Sequence, residues 1–163
     1  YNIDRKFLDI ENINKNISVK AKNIDIKLKH LNWVSPSFKN SKEEINIIKK
    51  AITTMKSDTR KKILVTHYQF FSLILDEDLN ILNRWYLWDN NTHPTENHKY
   101  FAFYKEMVNK NLKKNNIEVI YLLGYDKEIN FKNIINYFDG VCFENNIVIK
   151  NIFSYHEIKN CKK

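Results

Sequence analysis

Apolar positions recur with helical spacing in two long stretches of the chain. The first begins with a capping box, in which Ser41 and Glu44 satisfy backbone amides of the first turn, and it continues to about residue 57. Its apolar side chains recur every three or four residues and form one stripe: Ile45, Ile48, Ile52 and Met55. This pattern predicts an amphipathic helix that buries one face.

A second helix is predicted after Pro94, because a proline in the first turn and Glu96 near the positive end of the dipole favour helix initiation. It extends to about Lys114, where Asn115 and Asn116 end it. The residues predicted for its buried face are Tyr100, Phe101, Tyr104, Met107, Val108 and Leu112.

Two dense apolar runs, at residues 62–66 and 117–123, are typical of strands buried on both faces. Residues 70–75 are apolar enough for a short helix or a buried crossing segment. Shorter apolar segments also predict a helix at residues 131–138 and a strand at 147–153, with a last apolar segment at 155–158. Helices that alternate with such strands indicate a parallel sheet covered by helices. We therefore expect an α/β fold with a small, mostly parallel sheet in a Rossmann-like or flavodoxin-like three-layer arrangement. Residues 1–40 are interpreted as an extended lead-in that packs on a single α/β domain formed by residues 41–163.

Ligands of such sheets bind beyond the carboxyl ends of the strands. The first predicted strand ends in a polar turn, and an aromatic loop of some thirty residues follows it. Long ordered loops of this kind are usually functional or form lids. The candidate substrate-binding residues of this turn and loop are His67, Tyr68, Gln69, Arg84, Trp85, Tyr86, His93 and Asn97.

The sequence contains no motif for nucleotide binding and no metal-site spacing. The chain has only two glycines, Gly124 and Gly140, so it lacks a phosphate-binding loop and a dinucleotide fingerprint. His67, His93 and His98 match no spacing of a known metal site. We assign no catalytic residue, no metal and no cofactor.

The net charge of +8 raises the alternative of a nucleic-acid-binding module. The excess is mainly lysine spread along the chain, in a sequence that is rich in Asn and Ile. We interpret it as a solvated basic surface that reflects genome composition. Cys142 and Cys161 are a disulfide candidate for an oxidising compartment, whereas in the cytosol they would be thiols.

Four segments resemble a known family: residues 4–12 (DRKFLDIEN), 31–36 (LNWVSP), 66–70 (THYQF) and 97–101 (NHKYF). They are similar to the carboxyl-terminal soluble region of bacterial membrane proteins of the dolichyl-phosphate-mannose-protein mannosyltransferase type, the GT-C glycosyltransferases. The resemblance implies a preceding bundle of membrane helices that uses a polyprenyl-phosphate sugar, with its catalytic acids outside this chain. A first residue that is Tyr1 rather than Met fits a segment of a longer protein.

The resemblance implies an extracytoplasmic accessory domain, attached to the cell membrane, that contacts an acceptor glycan or a lipid-linked sugar. One alternative is a free-standing α/β enzyme with a site around His67. A nucleic-acid-binding module is the further alternative.

Overall fold

The computed structural model describes residues 18–33, 41–83, 94–124, 129 and 131–161. The chain divides into two compact units, residues 1–54 and 55–163. The division falls inside helix α1 (Ser41–Ser57), which has the extent that the capping box and the apolar stripe predicted. That prediction is confirmed.

In the first unit, strands β1 (Val19–Lys20) and β2 (Asn32–Trp33) pair antiparallel. Two 3₁₀ turns, Ala21–Asn23 and Ile26–Leu28, connect them. The indole Nε1 of Trp33 donates a hydrogen bond to the buried Glu44 carboxylate at 2.7 Å, which fixes β2 to the first turn of α1.

The described elements of the second unit after α1 are, in chain order, β3 (Lys62–Thr66), α2 (Phe71–Leu75), α3 (Phe101–Lys114), β4 (Val119–Leu123), α4 (Phe131–Ile134), a 3₁₀ turn (Ile135–Tyr137), β5 (Cys142–Ile149) and β6 (Phe153–Lys159). The four strands form one sheet with the order β3-β4-β6-β5.

Strands β3 and β4 form the one parallel pair among the described strands, with Ile63 opposite Ile120. Both strands are buried along their full length, as their continuous apolar runs predicted. The pairs β4–β6 and β5–β6 are antiparallel. The fold is therefore α/β, but the described sheet is mostly antiparallel, so a mostly parallel, Rossmann-like or flavodoxin-like sheet is not supported.

The difference arises in the last third of the chain. The prediction of one strand at residues 147–153 is wrong. The chain turns at residues 150–152, where Asn151 adopts a left-handed conformation with φ of 62°. Asn is one of the few residues that take this conformation readily. The turn makes β5 and β6 a hairpin, so β6 runs antiparallel beside β4.

One face of this sheet packs against α3 and the segment that contains α4. The contributions from these segments include Val108, Leu112, Ile134 and Tyr137. The prediction for the buried face of α3 is correct for Val108 and Leu112. It is wrong for Tyr100 and Met107, which are exposed. Tyr100 precedes the helix, and Met107 lies on the side of α3 away from Leu112 and the sheet.

An ionic cluster joins the strands on the opposite face. The Arg60 guanidinium donates to both carboxylate oxygens of Asp58, at 2.9 and 2.8 Å, and its Nη1 lies 3.0 Å from Glu157. The Tyr121 hydroxyl donates to Asp58 at 2.6 Å. Burial alone would raise the pKa of Asp58, but the hydrogen bonds from Arg60 and Tyr121 outweigh it and lower that pKa to about 2. Asp58 therefore stabilises the fold as a carboxylate.

Candidate functional site

A cavity of about 470 Å³ lies against the β5–β6 hairpin, and we call it the β5–β6 cavity. Its volume lies within the usual range for small-molecule sites. Its polar lining consists of Lys132, Asn145, Asn151, Ser154 and His156. Its remaining lining residues are Leu122, Gly124, Ile129, Phe131, Ile147, Ile149, Ile152 and Phe153.

The strand register brings three of the polar residues together. Asn145 of β5 lies directly opposite His156 of β6. Ser154 precedes His156 by two residues, so both side chains point to the same face of the sheet. The side chains form a chain of hydrogen bonds, with His156 Nδ1 2.7 Å from Asn145 Oδ1 and His156 Nε2 3.1 Å from Ser154 Oγ.

His156 is 5% exposed, and its ring stacks on Phe131 with a centroid distance of 3.7 Å and an interplanar angle of 4°. Burial lowers its pKa from 6.5 to about 4, so the imidazole is neutral at neutral pH. A neutral imidazole has one donor and one acceptor nitrogen. Since Asn145 Oδ1 can only accept, Nδ1 carries the proton, and Nε2 accepts from the Ser154 hydroxyl.

This arrangement leaves two polar groups for a ligand. The Asn145 amide nitrogen can donate, and the lone pairs of Ser154 Oγ can accept. A sugar hydroxyl both donates and accepts, so this pair suits a hydroxylated ligand. The ammonium of Lys132 adds a cation that suits a phosphate or carboxylate.

The same three side chains have the order of a nucleophile, a base and an orienting group. A general base works best when its pKa lies near the operating pH. Because the pKa of His156 is about 4, His156 is a weak base at neutral pH. The arrangement has the geometry of such a group, but the low pKa of His156 favours ligand binding over nucleophilic catalysis by Ser154 at neutral pH.

A smaller cavity of about 220 Å³ lies where the turn before α3 meets the α4 segment, and we call it the α3–α4 cavity. Lys132 lines both cavities. The other lining residues are Pro94, Thr95, Glu96, Asn97, Phe101, Asn133, Asn136 and Tyr137. Its lining therefore combines amides and one carboxylate with two aromatic rings.

Hydrogen bonds hold the walls of the α3–α4 cavity. The Tyr137 hydroxyl donates to the Pro94 carbonyl at 2.9 Å, and burial raises the pKa of Tyr137 to about 12. The Asn109 side chain donates to the Tyr137 carbonyl at 2.7 Å and accepts from the Asp139 amide at 2.9 Å. These bonds connect α3, the turn before it and the segment after α4.

The candidate residues taken from the sequence lie in different places. His67, Tyr68 and Gln69 follow β3 in a local turn, in which the Tyr68 amide donates to Thr66 Oγ1 at 3.2 Å and the Gln69 side chain donates to the Thr66 carbonyl at 3.3 Å. None of the three lines either cavity described above. Asn97 lines the α3–α4 cavity.

Arg84, Trp85, Tyr86 and His93 lie outside the described residues. A ligand-binding role for the loop, and an enzyme site at His67, therefore stay predictions. Within the described residues, no group of three or more His, Cys, Asp and Glu side chains is placed to hold a metal ion. In that same part of the chain, no helix is long and apolar enough to cross a membrane.

Asn145, Ser154 and His156 are not among the residues predicted from the sequence. Their signal is the two-residue spacing of Ser154 and His156 within an alternating pattern, which places both on one face of a strand. That signal could be read only if the segment was recognised as a strand.

Cys142, the first residue of β5, and Cys161, which follows β6, form a disulfide with a Cα–Cα distance of 5.0 Å. The bond closes the end of the hairpin opposite its turn. It therefore holds in register the two strands that carry Asn145, Ser154 and His156.

These features define an α/β domain whose mixed sheet carries a polar, ligand-sized cavity on its terminal hairpin. No family model, no curated protein and no solved structure matches the chain. The resemblance to GT-C glycosyltransferases therefore stays a prediction.

Proposed function

We propose that this chain is an extracytoplasmic domain of a polytopic membrane protein of the glycosyltransferase type. In this proposal, its β5–β6 cavity contacts the acceptor glycan or the lipid-linked sugar. The catalytic residues belong to another part of the parent protein, and the domain positions a substrate. The further parts of the proposal, the membrane helices before Tyr1 and the polyprenyl-phosphate sugar, come from the sequence resemblance.

The observation that carries the proposal is the group of polar side chains in the cavity. Asn145 offers a donor and Ser154 an acceptor, both held by the neutral His156. Sugars are recognised by such pairs, because each hydroxyl both donates and accepts. Lys132 lines the same cavity and supplies a charge for the phosphate of a lipid-linked sugar or of an anionic glycan.

The disulfide supports the location. Disulfides persist in extracytoplasmic compartments and are rare in the reducing cytosol. Both described cysteines are used in the bond between Cys142 and Cys161.

The test is calorimetric titration of the protein with mannosyl phosphate, a water-soluble stand-in for the head of a lipid-linked sugar. Asn145→Ala removes the donor and Ser154→Ala the acceptor. We expect each substitution to weaken binding by roughly two- to tenfold, the equivalent of one net hydrogen bond. Lys132→Gln should weaken the binding of mannosyl phosphate more than the binding of methyl mannoside, because only mannosyl phosphate carries a negative charge.

Asn146→Ala is the matched control, since Asn146 is the next residue on the same strand and its side chain points to the opposite face. It should leave the affinity unchanged. Failure of the wild-type protein to bind any sugar phosphate or glycan tested would overturn the proposal. Equal losses for the substitutions at positions 145 and 146 would also overturn it.

A further inference from the structure

Helix α3 carries exposed apolar side chains on the side away from the sheet. Phe103 is 73% exposed, Met107 is 41% exposed, and Tyr100, at the start of the helix, is 57% exposed. Their spacing of three and four residues aligns them along one face of the helix. The core-facing residues Val108 and Leu112 occupy the other side.

The same outward face is basic. Lys110 and Lys114 are exposed at helical positions close to this apolar stripe, together with one acid, Glu106. Lys99 is exposed in the turn before the helix, with its ammonium 4.7 Å from the ring centroid of Tyr100. Lys105 does not contribute to this basic face, because it forms an ion pair with Asp139 at 2.7 Å. The face therefore combines a central apolar stripe with an excess of positive charge.

We propose that this outward face of α3 docks on the surface of an anionic phospholipid bilayer. Helices with apolar side chains between lysines lie in the headgroup region, with the apolar groups at the acyl boundary and the cations among lipid phosphates. A nucleic acid would satisfy the lysines, but it gives an exposed Phe103 and Met107 no apolar environment. The proposal goes beyond sugar contact and does not depend on it.

The test is flotation of the protein with vesicles of phosphatidylcholine containing one quarter phosphatidylglycerol, compared with vesicles of phosphatidylcholine alone. We expect stronger binding to the anionic vesicles, weakened by added salt because the attraction is screened. Replacing Lys110 and Lys114 with Glu should weaken binding by about 30-fold or more, since each lysine near an anionic surface contributes about fivefold. Phe103→Ser combined with Met107→Ser should weaken binding by about tenfold or more through lost apolar burial.

Control variants carry substitutions of the same type at other positions in the second unit. Leu73→Ser alters another exposed apolar side chain, 54% exposed on α2, and Lys56→Glu with Lys150→Glu makes the same change in net charge. These variants should retain more of the binding than the α3 variants. All the substitutions are at exposed positions, so thermal melts should show that every variant folds.

Three results would overturn the proposal. The first is absence of binding to anionic vesicles at low salt. The second is an equal loss in the control and α3 variants, which would mean that only overall charge matters. The third is binding to a single-stranded RNA in the absence of vesicle binding, which would assign the surface to nucleic acid.

Discussion

His156 should make the folded protein sensitive to mild acid. Its pKa is about 4 in the folded state, compared with an ordinary value of 6.5, because the ring is buried against Phe131. Between these two pH values the unfolded chain binds more protons than the folded one. The free energy of unfolding must therefore decrease as the pH falls from 6.5 toward 4.

The size of the effect follows from the two pKa values. From about pH 7 to about pH 5, protonation stabilises the unfolded chain by about 2 kcal/mol, whereas the folded state gains almost nothing. The depressed pKa of Asp58 acts in a lower range, from 3.8 down to about 2. The two contributions can therefore be separated by pH.

The assay is urea unfolding of the wild type and of His156→Gln at several pH values between about 7 and 5. A glutamine side chain can donate to Asn145 and accept from Ser154, but it does not titrate. The wild type should lose about 2 kcal/mol over this range, and the variant should lose much less. The variant should also be less stable at pH 7, because it lacks the ring that stacks on Phe131. Parallel losses in the two proteins would show that His156 does not cause the loss of stability.

Three further predictions concern stability. Asp58→Asn should destabilise the protein by about 2 kcal/mol at pH 7, and the difference from the wild type should shrink as the pH falls through 3.8 toward about 2, which acid titration of the unfolding midpoint would check. Cys142→Ser should cost about 3 kcal/mol in denaturant unfolding, because the bond to Cys161 closes a loop with a sequence separation of 19; an unchanged midpoint would contradict this. Gly124→Ala should lower the melting temperature at a cost of about 1 to 3 kcal/mol, because the added Cβ would lie 2.9 Å from Ile129 Cδ1; a melt equal to that of the wild type would show that Ile129 moves aside.

The elements that were predicted best from the sequence are those that depend mainly on their own residues rather than on long-range contacts. The capping box and stripe of α1 gave its bounds, and the apolar runs of β3 and β4 gave a buried parallel pair. These signals are local and strong, because a strand buried on both faces contains a nearly continuous run of apolar side chains.

Strands β5 and β6 show why the rest was harder. β5 contains Glu144, Asn145 and Asn146, which are residue types depleted in strands. The β5–β6 hairpin forms through pairing with β4 and through the left-handed turn at Asn151, so long-range contacts override local preference. The antiparallel orientation of β5 and β6 and the position of the polar residues in the β5–β6 cavity both depend on that hairpin. Neither could be predicted without it.

The α3 helix illustrates a second limit. Its apolar residues cover more of its circumference than the sheet can bury, and periodicity alone assigned Tyr100 and Met107 to the core. The structure exposes both side chains. An excess of apolar residues on a helix is therefore a signal for a second, outward surface.

An amide NMR titration with mannosyl phosphate would show directly whether the β5–β6 cavity binds a sugar phosphate. The largest shift changes should occur at Lys132, Asn145 and Ser154, around that cavity. Changes confined to residues 67–69, or none at saturating ligand, would contradict this prediction.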